Sequence, residues 1–172
     1  MRTVVAVDVG VDPLALVEPL GRALRGEGPA VLPAGPGPAP STMLGPLAPG
    51  EDSAGDPTAV VVATSGSTGE PKGVLLSAAA LRASADATHA RLRGPGRWLL
   101  ATPVTYIGGI QVLVRSLLAG TVPGVLDPGA AFRPETFARA AAATLALPGP
   151  HYTALVPTQV ARLVEADGPG LV

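Results

Sequence analysis

Residues 64 to 73, TSGSTGEPKG, place three glycines, two serines, two threonines and one lysine in ten positions, directly after the apolar run AVVVA. Gly66, Gly69 and Gly73 let backbone amides approach a ligand closely and visit positive φ. Ser65, Ser67 and Thr68 add hydroxyl donors, and Lys72, the only lysine of the 172 residues, adds a point charge. Donors left unpaired at the end of a strand suit anionic oxygens, so the chemistry to test first is phosphate binding. An ordinary flexible turn is the competing reading, but a turn seldom combines so many donors with a cation.

Spacing removes two common phosphate loops. Counted from Gly66, the pattern GxxxxGK[ST] needs glycine where Pro71 stands, and a metal-binding Ser or Thr where Gly73 stands. The dinucleotide pattern GxGxxG does not match GSTGEPKG either. Among the other polar residues, Arg115 lies inside the apolar stretch GGIQVLVRSLLAG, where it either meets an anionic ligand or snorkels to water. Thr158 after Pro157 is placed to cap a helix. His89 and His151 have no partner at metal or triad spacing, which points to surface or cap roles. Glu51, Asp52 and Asp56 form a small acidic cluster expected to be solvated, and Asp8 and Asp127 end strands where they can cap turns.

Elements that alternate along the chain must position these groups. TVVAVDV (3–9) reads as a buried strand, followed by a helix with Asp12 as N-cap and Pro13 at its first position; Pro19 should split off its first turns. PAVLP (29–33) is a second strand. Residues 34–58 are dense in Pro and Gly without a period and read as a linker, with Met43 to Leu47 able to anchor one apolar turn. Then follow a strand at 59–63, a helix at 77–93 capped by Ser77, a strand at 97–104, a helix at 109–120, a strand at 121–127, a helix at 134–147, a strand at 151–157 and a helix at 158–167. This alternation predicts an α/β fold, layered, with a largely parallel sheet and flanking helices. The organisation expected is an N-terminal strand and helix segment with its linker (1–58), then an α/β subdomain carrying the phosphate loop (59–172).

Composition narrows the function classes. A net charge of -1, a pI near 6.1 and 3% aromatic residues leave neither a basic footprint nor stacking platforms for nucleic acid. The absence of cysteine excludes disulfides and thiolate-bound metals. Asp8 interrupts the N-terminal apolar run, and Pro, Gly or Arg cuts every later one, so neither a signal peptide nor a membrane span is expected and a cytoplasmic protein is the default.

TSGSTGEPKG resembles, position for position, the [TS]SG[TS]TGxPKG signature of the adenylate-forming superfamily of acyl-CoA ligases, luciferases and peptide-synthetase adenylation domains. GVLLSAAAL is similar to the motif continuation GVxLSHxAL, with Ala78 in place of histidine. PVTYIGG (103–109) resembles PxxHxxG, with Tyr106 at the usual histidine position. GGIQVLVRSLLAG and TALVPTQVARLV resemble actinobacterial-type o-succinylbenzoate-CoA ligases of menaquinone biosynthesis. The resemblance implies the large N-terminal domain of such an enzyme. Thr64, Ser65, Gly66, Ser67, Thr68, Gly69 and Lys72 would surround the phosphates of ATP while a carboxylate attacks the α-phosphate. Tyr106 and Thr158 would stand beside the acyl site, and Arg115 would bind a substrate carboxylate. ATP, Mg2+ and CoA would serve the complete enzyme, with a small carboxylic acid as substrate.

The later motifs of that family, including its magnesium glutamate and its C-terminal catalytic lysine, do not occur in the sequence. The expectation is therefore an N-terminal part of a ligase whose partner is the remainder of the enzyme, with no catalytic residue and no metal ligand of its own. A non-catalytic ATP- or anion-binding or partner module is the alternative.

Overall fold

The computed structural model describes residues 2–35, 43–47, 56–65, 71–127 and 130–167, with the backbone alone at 65, 71 and 167. The chain opens with β1 (Thr3–Asp8), a 3-10 turn (Pro13–Leu16) and α1 (Val17–Arg25). Asp12 caps that turn, its carboxylate accepting the Leu14 N–H at 2.8 Å. Pro19 sits in the first turn of α1, where a missing N–H costs nothing, so the helix splits as its sequence requires. Gly26 ends α1 at φ 78, a conformation that would strain a residue with a side chain.

After β2 (Ala30–Ala34), a two-residue strand β3 (Gly45–Pro46) lies inside the expected linker and pairs antiparallel with β1. Leu47 beside it is buried and Met43 packs with it, which is the apolar anchor expected of this stretch. Then come β4 (Thr58–Ser65), β5 (Pro71–Ser77), α2 (Ala78–Arg91), β6 (Arg97–Leu100), α3 (Ile107–Leu118), β7 (Gly124–Val125), α4 (Pro134–Leu145), β8 (His151–Thr153) and α5 (Pro157–Asp167). β5 has no counterpart among the expected elements, because residues 71–73 belong to the glycine-rich motif and 74–76 are too few to show a period of their own.

The strands form two sheets. The first has the order β3-β1-β2-β4-β5, parallel at its centre and antiparallel at both edges; the second, β7-β6-β8, is all parallel. The α/β layered architecture is therefore as expected, divided over two sheets. β4 shows how the layers follow from alternation. Val60 and Val62 point into the larger core with Leu20, Leu81, Leu100, Ile110 and Leu113, while Val61 points to the opposite face with Val4, Leu32 and Leu47. The larger core joins residues of 1–58 to residues of 59–172.

α3 is apolar on nearly every side and is buried accordingly, packed among α1, α2 and β6. α4 and α5 belong to the second sheet's side, α4 against β6 and β7. Among the described residues no helix is long and apolar enough to cross a membrane.

Candidate active site

β4 and β5 form an antiparallel hairpin in which Ser65 pairs with Pro71 and Thr64 with Lys72. The described flanks of the phosphate-loop candidate are therefore paired strands, at the carboxyl end of β4. Gly66, Ser67, Thr68 and Gly69 lie outside the described residues. Thr64 Oγ1 donates to the Lys72 carbonyl at 3.1 Å, tying the two flanks together below the tip. The Lys72 side chain is exposed and makes no ion pair with any described residue.

Alternation also fixes the direction of these side chains. Cross-strand partners share a face, and Thr64 is two and four residues beyond Val62 and Val60. Thr64 and Lys72 thus stand on the side of the first sheet that carries the helices and the second sheet. Gly73 faces the other way: a Cβ there would meet Val61 Cγ1 at 3.0 Å and Met43 at 3.6 Å.

The helix after the hairpin offers no anion site. Its first three amides are all satisfied by the chain itself: Ala78 N–H donates to Pro57 O at 2.9 Å, Ala79 N–H to Asp56 Oδ1 at 3.0 Å and Ala80 N–H to Ser77 Oγ at 3.1 Å. Ser77 is the cap expected from sequence. Asp56, expected to be solvated, is a second cap, while Glu51 and Asp52 lie outside the described residues. In the Walker arrangement a helix starts directly from the loop and lends its positive end to the phosphates. Here the seven residues of β5 intervene between the loop and the helix.

A cavity of about 280 Å³ opens where the carboxyl ends of both sheets meet. Val9 and Gly10 follow β1, Gly35 follows β2, Leu100 to Thr105 end β6, and Leu126 and Asp127 end β7. This is the edge at which open α/β folds bind ligands. The lining is largely apolar, with Thr102, Thr105, Asp127 and Gln159 as its polar side chains. Thr102 Oγ1 is buried without a hydrogen-bond partner.

The segment Pro103–Gly109 shapes this wall. A Cβ at Gly109 would come within 2.3 Å of the Pro103 carbonyl oxygen, so the backbones touch and only glycine fits. That contact explains the spacing between proline and glycine in the motif. Tyr106 lies between them as the residue preceding α3; its side chain is 64% exposed, next to the lining residue Thr105. Thr158, in the first turn of α5, is exposed and adjacent to the lining residue Gln159. Neither is itself a lining residue, and the side chain that caps the start of α5 is that of Gln159 rather than Thr158.

Arg115 does not line it. The residue lies in the last turn of α3, nine residues and about 13 Å of helix axis from Tyr106. Its guanidinium is 4.9 Å from the Trp98 ring centroid, and Trp98 in turn packs at 5.1 Å on Tyr152. Burial pushes the Arg115 pKa down from its ordinary value, and its Nε is buried without a partner. Gln111 Oε1, one helical turn earlier, and Trp98 Nε1 are also unpaired. Arg115 is thus a partly desolvated, half-buried cation whose Nε has a donor to spare.

His89 corrects an expectation. It continues the buried stripe Ala78, Leu81, Ala85 of α2 and is 8% exposed, a core position rather than a surface one. His151 does cap locally, its Nε2 lying 2.8 Å from the Leu147 carbonyl. Asp8 accepts the Gly10 N–H at 2.9 Å, as expected of a turn cap. Gln159 is a lining residue that was not among the candidates, although glutamine three residues after a helix start is a capping-box signal. Among the described residues no group of three or more His, Asp or Glu could hold a metal.

The family model described as AMP-binding enzyme matches residues 11–171. Over 160 residues, 91% of the chain, the sequence is 46% identical to a probable 2-succinylbenzoate–CoA ligase of Mycobacterium tuberculosis. A 67-residue stretch, 38% of the chain and 14% of the relative, is 37% identical to the 2-succinylbenzoate–CoA ligase of Bacillus licheniformis. Among solved structures, O-succinylbenzoate coenzyme A synthetase from Bacillus subtilis in complex with AMP matches with a TM-score of 0.55 and 27% identity, over 66% of this chain and 28% of that one. The chain spans 39% of the length of the mycobacterial relative.

Proposed function

Because the chain belongs to the AMP-binding enzyme family, we propose that it is the N-terminal part of an ATP-dependent acid–CoA ligase, with o-succinylbenzoate as the acid. Such an enzyme joins the acid to AMP with loss of pyrophosphate and then transfers the acyl group to CoA. One observation carries the reading: the cationic face of the β4–β5 hairpin and the cavity lie on the same side of the first sheet, at its carboxyl edge. A nucleotide on the hairpin and an acid in the cavity would then meet in one site.

Within it, Lys72 with the hydroxyls and amides of residues 64–69 neutralises the β- and γ-phosphates, which become the leaving group. Preorganised donors aimed at developing charge are a strong source of rate enhancement. Tyr106 and Thr158 are proposed to stand beside the acid, and Arg115, which does not line the cavity, to receive the second carboxylate of an acid that reaches past the cavity toward Trp98. The unpaired Nε and the absence of an acidic partner among the described residues support that role for Arg115. An arginine fork pairs with a carboxylate bidentately. No residue of this chain is assigned to the magnesium ion or to CoA. The division into an N-terminal strand and helix segment with its linker (1–58) and a phosphate-loop subdomain (59–172) is proposed as well, with both segments contributing to the cavity lining.

Pyrophosphate release tests the proposal, measured for this chain alone and combined with the C-terminal remainder of the mycobacterial relative. The combination should turn over o-succinylbenzoate faster than benzoic or fatty acids, and the chain alone should show no turnover. Equal rates for all acids would exclude the substrate, and turnover by the chain alone would exclude the part-enzyme reading.

A further inference from the structure

We propose that Gln159 is a specificity-determining positioning residue, a two-ended clamp that sets the width of the cavity by holding α5 against the carboxyl end of β6. Its Oε1 accepts the Val156 N–H at 3.0 Å, and its Nε2 donates to the Ala101 carbonyl at 2.8 Å. The orientation of the amide is unambiguous, because a backbone N–H can only donate and a carbonyl only accept. The first bond closes the start of α5, where the Val156 carbonyl already takes the N–H groups of Gln159 and Val160. The second leaves the helix altogether and crosses 58 residues of sequence to the cavity wall.

A second tie of the same kind runs beside it. Arg162, one turn along α5, donates to the Phe132 carbonyl at 3.2 Å, and Phe132 lines the cavity too. Two walls of the cavity are thus fastened to one helix by polar side chains. Apolar packing does not replace them on the opposite face: Val156, Val160 and Val164, at successive turns, are each about half exposed. A helix held by hydrogen bonds at one face has its distance from β6 set by the length of those bonds. That distance decides how wide a ligand fits between Ala101 and α5.

The inference rests on the proposed function only in placing the organic acid in this cavity. Two substitutions of similar size separate the ends of the clamp. Gln159→Met removes both bonds, whereas Gln159→Glu keeps an acceptor for Val156 and loses the donor to Ala101. Amide exchange of Val156, and dissociation constants for o-succinylbenzoate, benzoate and a slim aliphatic dicarboxylate, are measured on the 172-residue chain.

The expected result is at least tenfold faster Val156 exchange in Q159M alone. The preference for o-succinylbenzoate over the slim acid should fall at least fivefold in both variants. If Q159E retains the full preference, Gln159 is only a helix cap and the clamp is wrong. Preferences unchanged in both variants, against an unaltered chain that does discriminate, overturn the clamp while sparing the acid assignment. An unaltered chain that binds every acid equally, or none, overturns both.

Discussion

The β4–β5 hairpin and the cavity beside it occupy the same edge of the molecule and are built on opposite plans. The hairpin is contiguous and antiparallel; its candidate binding groups lie within ten residues, and its register places Lys72 opposite Thr64. The cavity draws on five separate segments from Val9 to Gln159 and is closed by backbone contacts and crossing hydrogen bonds. A polyanion needs donors and charge, which a short loop supplies by itself. Discrimination between organic acids needs shape, which only elements held at fixed distances provide. Damage to the hairpin should therefore remove activity without loosening the fold, whereas damage around the cavity should cost stability or selectivity.

The largest break is expected at Gly109. A methyl group there would press into the Pro103 carbonyl, and neither backbone can retreat without moving α3. Gly109→Ala should destabilise the chain by about 3 kcal/mol, read as a lowered urea midpoint. A midpoint within experimental error of the unaltered chain would mean that this wall is not tightly held.

Next in size is Lys72→Met. In the complemented enzyme, pyrophosphate release should fall about 100-fold, equivalent to about 2.7 kcal/mol of transition-state stabilisation. The urea midpoint should not move, because the side chain is exposed and unpaired among the described residues. A large stability loss with normal turnover would reverse the contrast between the two regions.

Arg115→Ala sharpens the comparison from the cavity's side. The KM for o-succinylbenzoate should rise about tenfold, roughly 1.4 kcal/mol, with the KM for ATP little changed. Equal effects on both would assign Arg115 to packing on Trp98 alone. The smallest effect belongs to Ser77→Ala, which removes the Ala80 cap while Asp56 continues to hold Ala79. About 1 kcal/mol of stability should be lost and the turnover kept. A fall in turnover would show that the hairpin depends on how α2 begins.

Features that arise within a turn or two of chain are legible in the residues themselves. The Asp12 and Ser77 caps, the interrupted start of α1, the strands at 3–9 and 29–33 and all five helices are of this kind, although the first strand, expected to be buried, is buried only at Val4 within Thr3–Asp8. β5 is hidden because Pro-Lys-Gly has the composition of a loop. Its strand character comes from pairing with β4, whose alternating valines supply a surface on either side. His89 is hidden for a related reason: a helix rich in alanine has weak contrast between its faces, so neighbours decide which face is buried. Gln159 carries a capping signal, but its second bond to Ala101 has no trace in local sequence.

The sequence alone determined that a loop rich in Gly, Ser and Thr with one lysine follows a buried strand, that the fold alternates strands with helices, and that the chain offers nucleic acid no basic footprint. These depend on residue type, spacing and net charge, which are properties of the chain at any stage of folding. Tertiary structure alone decided that the loop's flanks pair as antiparallel strands with no helix end behind them, and that Lys72 stands on the helix-bearing side of the first sheet. It also decided that Arg115 rests on Trp98 away from the cavity wall and that Gln159 spans two elements. Those facts depend on register and on contacts between distant segments, and strand pairing and packing set both.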